Sequence, residues 1–140
     1  MNKSTSIELS KNDYIVIDPC YVMKDDLYNQ MVDQMYKNYD ANGSAQNELE
    51  IEGIRFAVFN TAHGDGVYQS NTNSIFSVDA GIIGVIPLSL CDEDTIKKYK
   101  KLLSDECFFI SDEVSACSDG NTLYFNDLEI YTGYDEEDED

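Results

Sequence analysis

Turn signals crowd the last third of the chain so closely that only antiparallel strands fit between them. Residues 107–133, CFFISDEVSACSDGNTLYFNDLEIYTG, read as strand, turn, strand, an Asp119-Gly120 turn, strand, an Asn126-Asp127 turn and a final strand. The first of these turns falls in the polar stretch between CFFI and VSAC. Parallel pairing would need a crossover of about a dozen residues between strands, and these spacers are far shorter.

The rest of the chain agrees with that constraint. YIVIDP, residues 14–19, is rich in β-branched residues, stops at Pro19 and reads as a first strand, which CYVM extends. DDLYNQMVDQMYKNYD then places apolar residues at 27/28, 31/32, 35/36 and 39, the stripe of an amphipathic helix with Asp25 or Asp26 as its cap. Residues 40–48 are polar and predict a loop. Asp40, Asn42 and Ser44 alternate there like calcium ligands, but glycine stands fourth instead of sixth and Ile51 stands twelfth, so the calcium reading fails. LEIEGIRFAVFN, residues 49–60, has period two on both sides of Gly53 and predicts two strands or one bulged strand. IFSVDAGIIGVIPL, residues 75–88, predicts a tight hairpin about Ala80-Gly81. DEDTIKKYKKLL predicts a second helix capped by Asp92, with Ile96, Tyr99 and Leu102/Leu103 as its buried stripe. The expected fold is α+β: a curved, mainly antiparallel sheet with two helices, one domain over 1–133, and a disordered acidic tail over 134–140.

Charge bounds the function. Twenty-eight acidic residues face nine basic ones, a net charge of -19. The last seven residues, YDEEDED, carry six carboxylates, and without them the body still stands at -13. No Lys or Arg follows Lys101, whereas thirteen Asp or Glu do. Such a surface repels phosphates and anionic lipid and attracts basic protein surfaces, so direct nucleic-acid or membrane binding is not expected. Four of the cations, Lys97, Lys98, Lys100 and Lys101, share the second helix, where they suit the negative end of its dipole or meet the acidic tail. No run is apolar enough to span a membrane and the N-terminus lacks a signal-peptide core, so a cytoplasmic protein is expected. Cys20, Cys91, Cys107 and Cys117 show no C-x2-C spacing and predict buried small hydrophobes instead of a zinc or redox site.

One stretch concentrates the residue types of a site. HGDGVYQSNTNSIFSVDAG, residues 63–81, holds the only histidine. It lacks the G-K-[ST] of a phosphate loop. His63, Asp65 and Asp79, with Asp18, make a His-plus-carboxylate set for a divalent ion, the alternative being a small-ligand or hydrolytic site. The simpler reading gives Gly64, Gly66 and Gly81 to turns, with Asp65 and Asp79 bonding local amides. Nothing points to an enzyme: there is no G-x-S-x-G elbow, and Asp18 beside Cys20 raises a thiol pKa instead of lowering it. No cofactor is expected.

Three of these segments together, IDPCYVM, GDGVY and VDAGIIGVIPL, carry D-P-C-Y, G-D-G-x-Y and V-D-x-G motifs. Over residues 14–90 the chain resembles a group of small bacteriophage and mobile-element proteins without an assigned biochemical role. That resemblance implies a phage setting, where compact acidic proteins inhibit host defence or nucleic-acid enzymes, and it transfers no catalytic residue. The expected function is therefore a non-enzymatic inhibitor of a host protein with a basic, nucleic-acid-binding surface, such as a defence nuclease or CRISPR effector, by mimicry of nucleic-acid charge. The expected contacts are Asp112, Glu113, Asp119, Glu129, Tyr131, Tyr134 and the tail Asp135, Glu136, Glu137, Asp138, Glu139 and Asp140. Exposed sheet edges also allow a homo-oligomer.

Overall fold

A computed structural model describes residues 6–42, 46–61, 64–79, 81–102, 106–119 and 121–132. Among these residues nine strands form one curled sheet: β1 (Ile7–Ile17), β2 (Gln46–Ile51), β3 (Ile54–Asn60), β4 (Gly66–Ser70), β5 (Ile75–Val78), β6 (Ile82–Pro87), β7 (Phe108–Ser118), β8 (Thr122–Phe125) and β9 (Leu128–Tyr131). Two helices accompany them, α1 (Asp25–Asn42) and α2 (Glu93–Leu102). The order across the sheet is β2-β3-β6-β1-β7-β8-β9-β4-β5, and every pairing is antiparallel. The curved α+β architecture read from the sequence is the one observed. The acidic tail lies outside the described residues.

Period-two alternation divides the core between the two faces of this sheet. Tyr14 and Val16 of β1, Ala57 and Phe59 of β3, and Ile83 and Val85 of β6 point inward and meet Tyr68, Phe76, Leu123, Phe125 and Ile130. Phe59 and Phe125 meet edge to face with centroids 5.4 Å apart, so the curl brings β3 and β8 together across the interior. The intervening residues Ile15, Ile17, Phe56, Val58, Ile82 and Ile86 point outward and are buried beneath α1 and α2. The expected stripes hold in part: Leu27 and Met31 of α1 and Ile96 of α2 are buried, Tyr28, Val32, Met35 and Tyr99 are half-buried, Tyr36 is exposed, and Leu103 lies outside the described residues. Asp92 caps α2, accepting from the Thr95 amide at 3.1 Å and its hydroxyl at 2.8 Å. Gly84 lies on the crowded outward side of β6. A Cβ there would stand 2.7 Å from both Ile86 Cδ1 and Val58 Cγ1.

Five local readings need correction. Where a loop over 40–48 was expected, α1 runs on to Asn42 and β2 starts at Gln46. β1 begins at Ile7, well before Tyr14, because its first half pairs with β7 from Ile7–Ala116 to Leu9–Val114. Pro19–Tyr21 is a single 3-10 turn, where an extended CYVM was expected. β7 runs unbroken through Ser111-Asp112-Glu113, where a turn was expected: the register shift between Leu9 and Asn12 puts a bulge in β1 opposite that segment. The expected hairpin about Ala80-Gly81 is also absent. β5 pairs with β4, while β6 lies between β3 and β1. The segment after Val78 is therefore a crossing from one side of the sheet to the other. Around Gly53 the two-strand reading holds, with Glu52 (φ 56°) and Gly53 (φ 78°) turning between β2 and β3.

Candidate functional site

Helices cover only part of the outward face. Beyond β1, outward positions continue along the register from Cys117 to Tyr124, Glu129, Tyr131, Gln69 and Ile75. Neither hydrophobic cluster includes any of these six residues; Cys117 is buried, Tyr124 and Glu129 are half-buried, and Tyr131, Gln69 and Ile75 are exposed. The described strands β4, β5, β7, β8 and β9 contain no Lys or Arg. The carboxylates among the outward residues are Glu8, whose Oε2 accepts from the Ser115 hydroxyl at 2.9 Å, with Glu113 and Glu129. This half of the sheet, with Lys11 in the β1 bulge at its margin, is the candidate surface.

The sequence-derived residues fall on it unequally. Asp112 and Glu113 are exposed on β7 opposite the bulge of β1. Glu129 and Tyr131 share the outward side of β9, the Tyr131 hydroxyl donating to Glu129 Oε1 at 3.3 Å. Burial and then Glu129 hold the Tyr131 phenol above its ordinary range. Asp119 is half-buried and already occupied. Its Oδ1 accepts from the amides of Asn121 (2.9 Å) and Thr122 (2.7 Å), and its Oδ2 from the Tyr124 hydroxyl (2.9 Å). Burial acts to raise its pKa, the three hydrogen bonds outweigh it, and the carboxyl sits below the usual range. It is a turn-former first and a surface charge second. Tyr134 and Asp135–Asp140 lie outside the described residues.

Two asparagines keep this half in register. Asn126 Oδ1 accepts from the Ser115 amide at 2.8 Å while its Nδ2 donates to the Glu113 carbonyl at 2.9 Å. Asn71 does the same toward β9, accepting from the Glu129 amide at 2.9 Å and donating to the Asp127 carbonyl at 2.8 Å. Each amide side chain stands in for strand backbone, so Glu113 and Glu129 are positioned by their neighbours' side chains.

Around Thr61, Gly64, Asp79 and Gly81 the two halves meet at a seam. Two chain crossings, from β3 to β4 and from β5 to β6, lie side by side. The Thr61 amide donates to the Gly81 carbonyl at 3.1 Å, and the Thr61 and Tyr68 hydroxyls donate to the Gly64 carbonyl at 2.5 and 2.7 Å. Gly64 (φ 71°) and Gly81 (φ 76°) take the left-handed conformation that these crossings require. Asp18 fastens the seam. Fully buried after β1, it accepts from the Cys20 amide at 2.9 Å and the Asp79 amide at 2.7 Å. Tyr21 adds a second tie, its hydroxyl donating to Asp79 Oδ2 at 2.6 Å. Asp79 therefore bonds a distant phenol, where a local amide was expected.

These geometries bear on the chemistries weighed from the sequence. His63 lies outside the described residues, and among the described residues no group of three or more His, Cys, Asp or Glu is placed to hold a metal ion. Cys91, Cys107 and Cys117 are buried as expected, while Cys20 is exposed. Although that residue is exposed, burial of its thiol is the largest cause that pushes its pKa up to about 12, Asp18 next, with Asp79 and Asp65 adding. A thiol so held is protonated at neutral pH and is no nucleophile. A pocket of about 130 Å³ lies at the seam among Ile17, Tyr21, Ser77, Tyr99 and Glu106. That is well under the roughly 300 Å³ of a small-molecule site. Among the described residues no helix is long and apolar enough to cross a membrane. Comparisons with protein families, with curated proteins and with solved structures found no match.

The sequence reading missed Glu8, Val67, Gln69, Ile75 and Tyr124. Period two in GVYQS and IFSV gives their direction once Tyr68 and Phe76 are known to point inward. Which half the helices leave bare depends on strand order, which no local pattern encodes.

Proposed function

We propose that this chain is a non-enzymatic, acidic, phage-type binding protein. It acts in the host cytoplasm by occupying the basic nucleic-acid-binding surface of a host protein, a defence nuclease or CRISPR effector. The observation that carries this reading is the segregation of charge: residues 56–96 and 102–140 contain no Lys or Arg. Duplex DNA presents one negative charge per roughly 1.7 Å of axis, and a cleft built for it is lined with cations that a carboxylate surface can satisfy. Glu8, Glu113 and Glu129 supply such a surface on the bare half-sheet, and the six carboxylates of the C-terminal segment add to it. Association driven this way is fast and steeply salt-dependent.

The test is capture of host proteins on the immobilised chain at low salt, eluted by a salt gradient and, separately, by duplex DNA. The expected result is a retained nucleic-acid-binding protein that salt and DNA both displace, with weaker retention once Asp135–Asp140 are changed to Asn and Gln. Retention indifferent to salt and to duplex DNA would falsify the reading.

A further inference from the structure

The bare half-sheet carries more than charge. Among the described residues the large hydrophobic side chains left exposed are Tyr36, Val67, Ile75 and Tyr131, at 69%, 59%, 44% and 38% exposure. The last three gather on neighbouring strands. The register sets Ile75 and Tyr131 on either side of Gln69, with Val67 two residues along β4 on the same face. With strands about 4.8 Å apart, Ile75 and Tyr131 are separated by roughly 10 Å. Single exposed hydrophobics are ordinary, but a cluster at the outward positions of three adjacent strands marks a contact surface. On the other half of the same sheet, the equivalent outward Ile, Val and Phe side chains are all covered by helices.

We infer that Val67, Ile75 and Tyr131, with Glu129 beside them, form the apolar centre of the contact surface. Its occupant is a protein segment in which arginines alternate with apolar side chains. This deepens the function proposed above and rests on it. Charge selects the occupant. A second copy would bring two molecules of -19 together through faces that hold no cation. Arginine fits better than lysine because its planar, weakly hydrated guanidinium both stacks on a tyrosine ring and pairs with a carboxylate, and Tyr131 and Glu129 present those two groups side by side. A purely electrostatic mimic has no use for Val67 and Ile75, whereas an apolar centre beside the Glu129 carboxylate excludes water from the charged pair and strengthens it.

The experiment compares two synthetic peptides of equal length and charge, one alternating Arg with Leu and one alternating Lys with Gly, titrated into the 15N-labelled full chain. The Arg-Leu peptide is expected to bind at least about tenfold more tightly. It should shift the amides of Val67, Gln69, Ile75 and Tyr131. The doubly substituted Val67→Ser/Ile75→Ser chain, its fold checked by its own spectrum, should lose that preference and keep its weak response to Lys-Gly. Equal affinity for the two peptides, or shifts centred on α1 and α2, overturns the inference, as does self-association through these residues without peptide. If the double variant still captures the DNA-displaceable host protein undiminished, this inference fails while the proposed function stands. If neither peptide binds, this inference fails, and the capture experiment alone decides the proposed function.

Discussion

The two halves of the sheet solve the same problem in opposite ways. In β3, β6 and the second half of β1 both faces of the strands are apolar, and two helices pack on the outward one. In β8, β9, β4 and β5 only the inward face is apolar, and the outward one is left to Tyr, Gln, Glu, Thr and Ser with Val67 and Ile75 among them. The first half is a sandwiched layer whose composition is dictated by stability. The second needs only one buried face to fold, so its outward residues are free to answer to something else. Most described cations lie on the covered half: Lys37 on α1, Arg55 on β3, Lys97, Lys98, Lys100 and Lys101 on α2 and Lys24 just before α1, while Lys11 stands in the β1 bulge beside β7.

A matched pair of substitutions puts the largest strain on this comparison. Ile86 and Ile75 both point outward, at 0% and 44% exposure. Ile86→Ala should cost about 2–5 kcal/mol, because it empties a packed site. Ile75→Ala should stay within about 0.5 kcal/mol. Urea unfolding of the two variants measures both, and similar costs would erase the distinction between the halves.

The seam comes next. Asp18→Ala leaves the amides of Cys20 and Asp79 without their acceptor in a buried site, a loss of about 2–3 kcal/mol. Hydrogen exchange should then show β4 and β5 opening before β1 and β6. Loss of protection across all four strands at once would show instead that the halves do not open separately.

Tyr21 sharpens the same point through pH. Its bond to Asp79, and then burial, hold its phenol above the ordinary value of 10.0. A raised pKa means that the folded state grips the proton more tightly. The stabilisation is full below the ordinary value and is lost as pH rises through the folded one. Wild type and Tyr21→Phe should therefore differ in urea midpoint at neutral pH and converge in strong alkali. A constant difference would remove the tie. Asp119 gives the smallest effect and the opposite sign. Its lowered pKa stabilises the fold fully above the ordinary 3.8 and fails as pH falls through the folded value. Asp119→Asn should therefore flatten the acid limb of the stability profile.

Much of this was legible in advance where the determinant was local. The stripes of α1 and α2, the Asp92 cap, the turn at Gly53 and the Asn126-Asp127 turn follow from residues a few positions apart. The failures share a cause. Val78, Asp79 and Gly81 look the same whether the chain turns back on itself or crosses a sheet, and the choice rests on Asp18, 61 residues before Asp79. Likewise Ser111-Asp112-Glu113 reads as a turn because it is polar, and it is polar because it lies opposite a bulge. For the candidate surface, the charge asymmetry was written in the sequence after Lys101, and the uncovered face that displays it was not.

The uneven placement of cations gives the molecule a direction as well as a charge. With the described lysines and arginine on the helices, β1, β3 and the loop before α1, and none on β4, β5, β7, β8 or β9, its centres of positive and negative charge do not coincide. In the field of the cationic groove proposed above as its partner, the protein would experience a torque before contact. It would arrive with the bare strands leading and the lysine-bearing helix α2 trailing, so that fewer collisions are spent on wrong orientations.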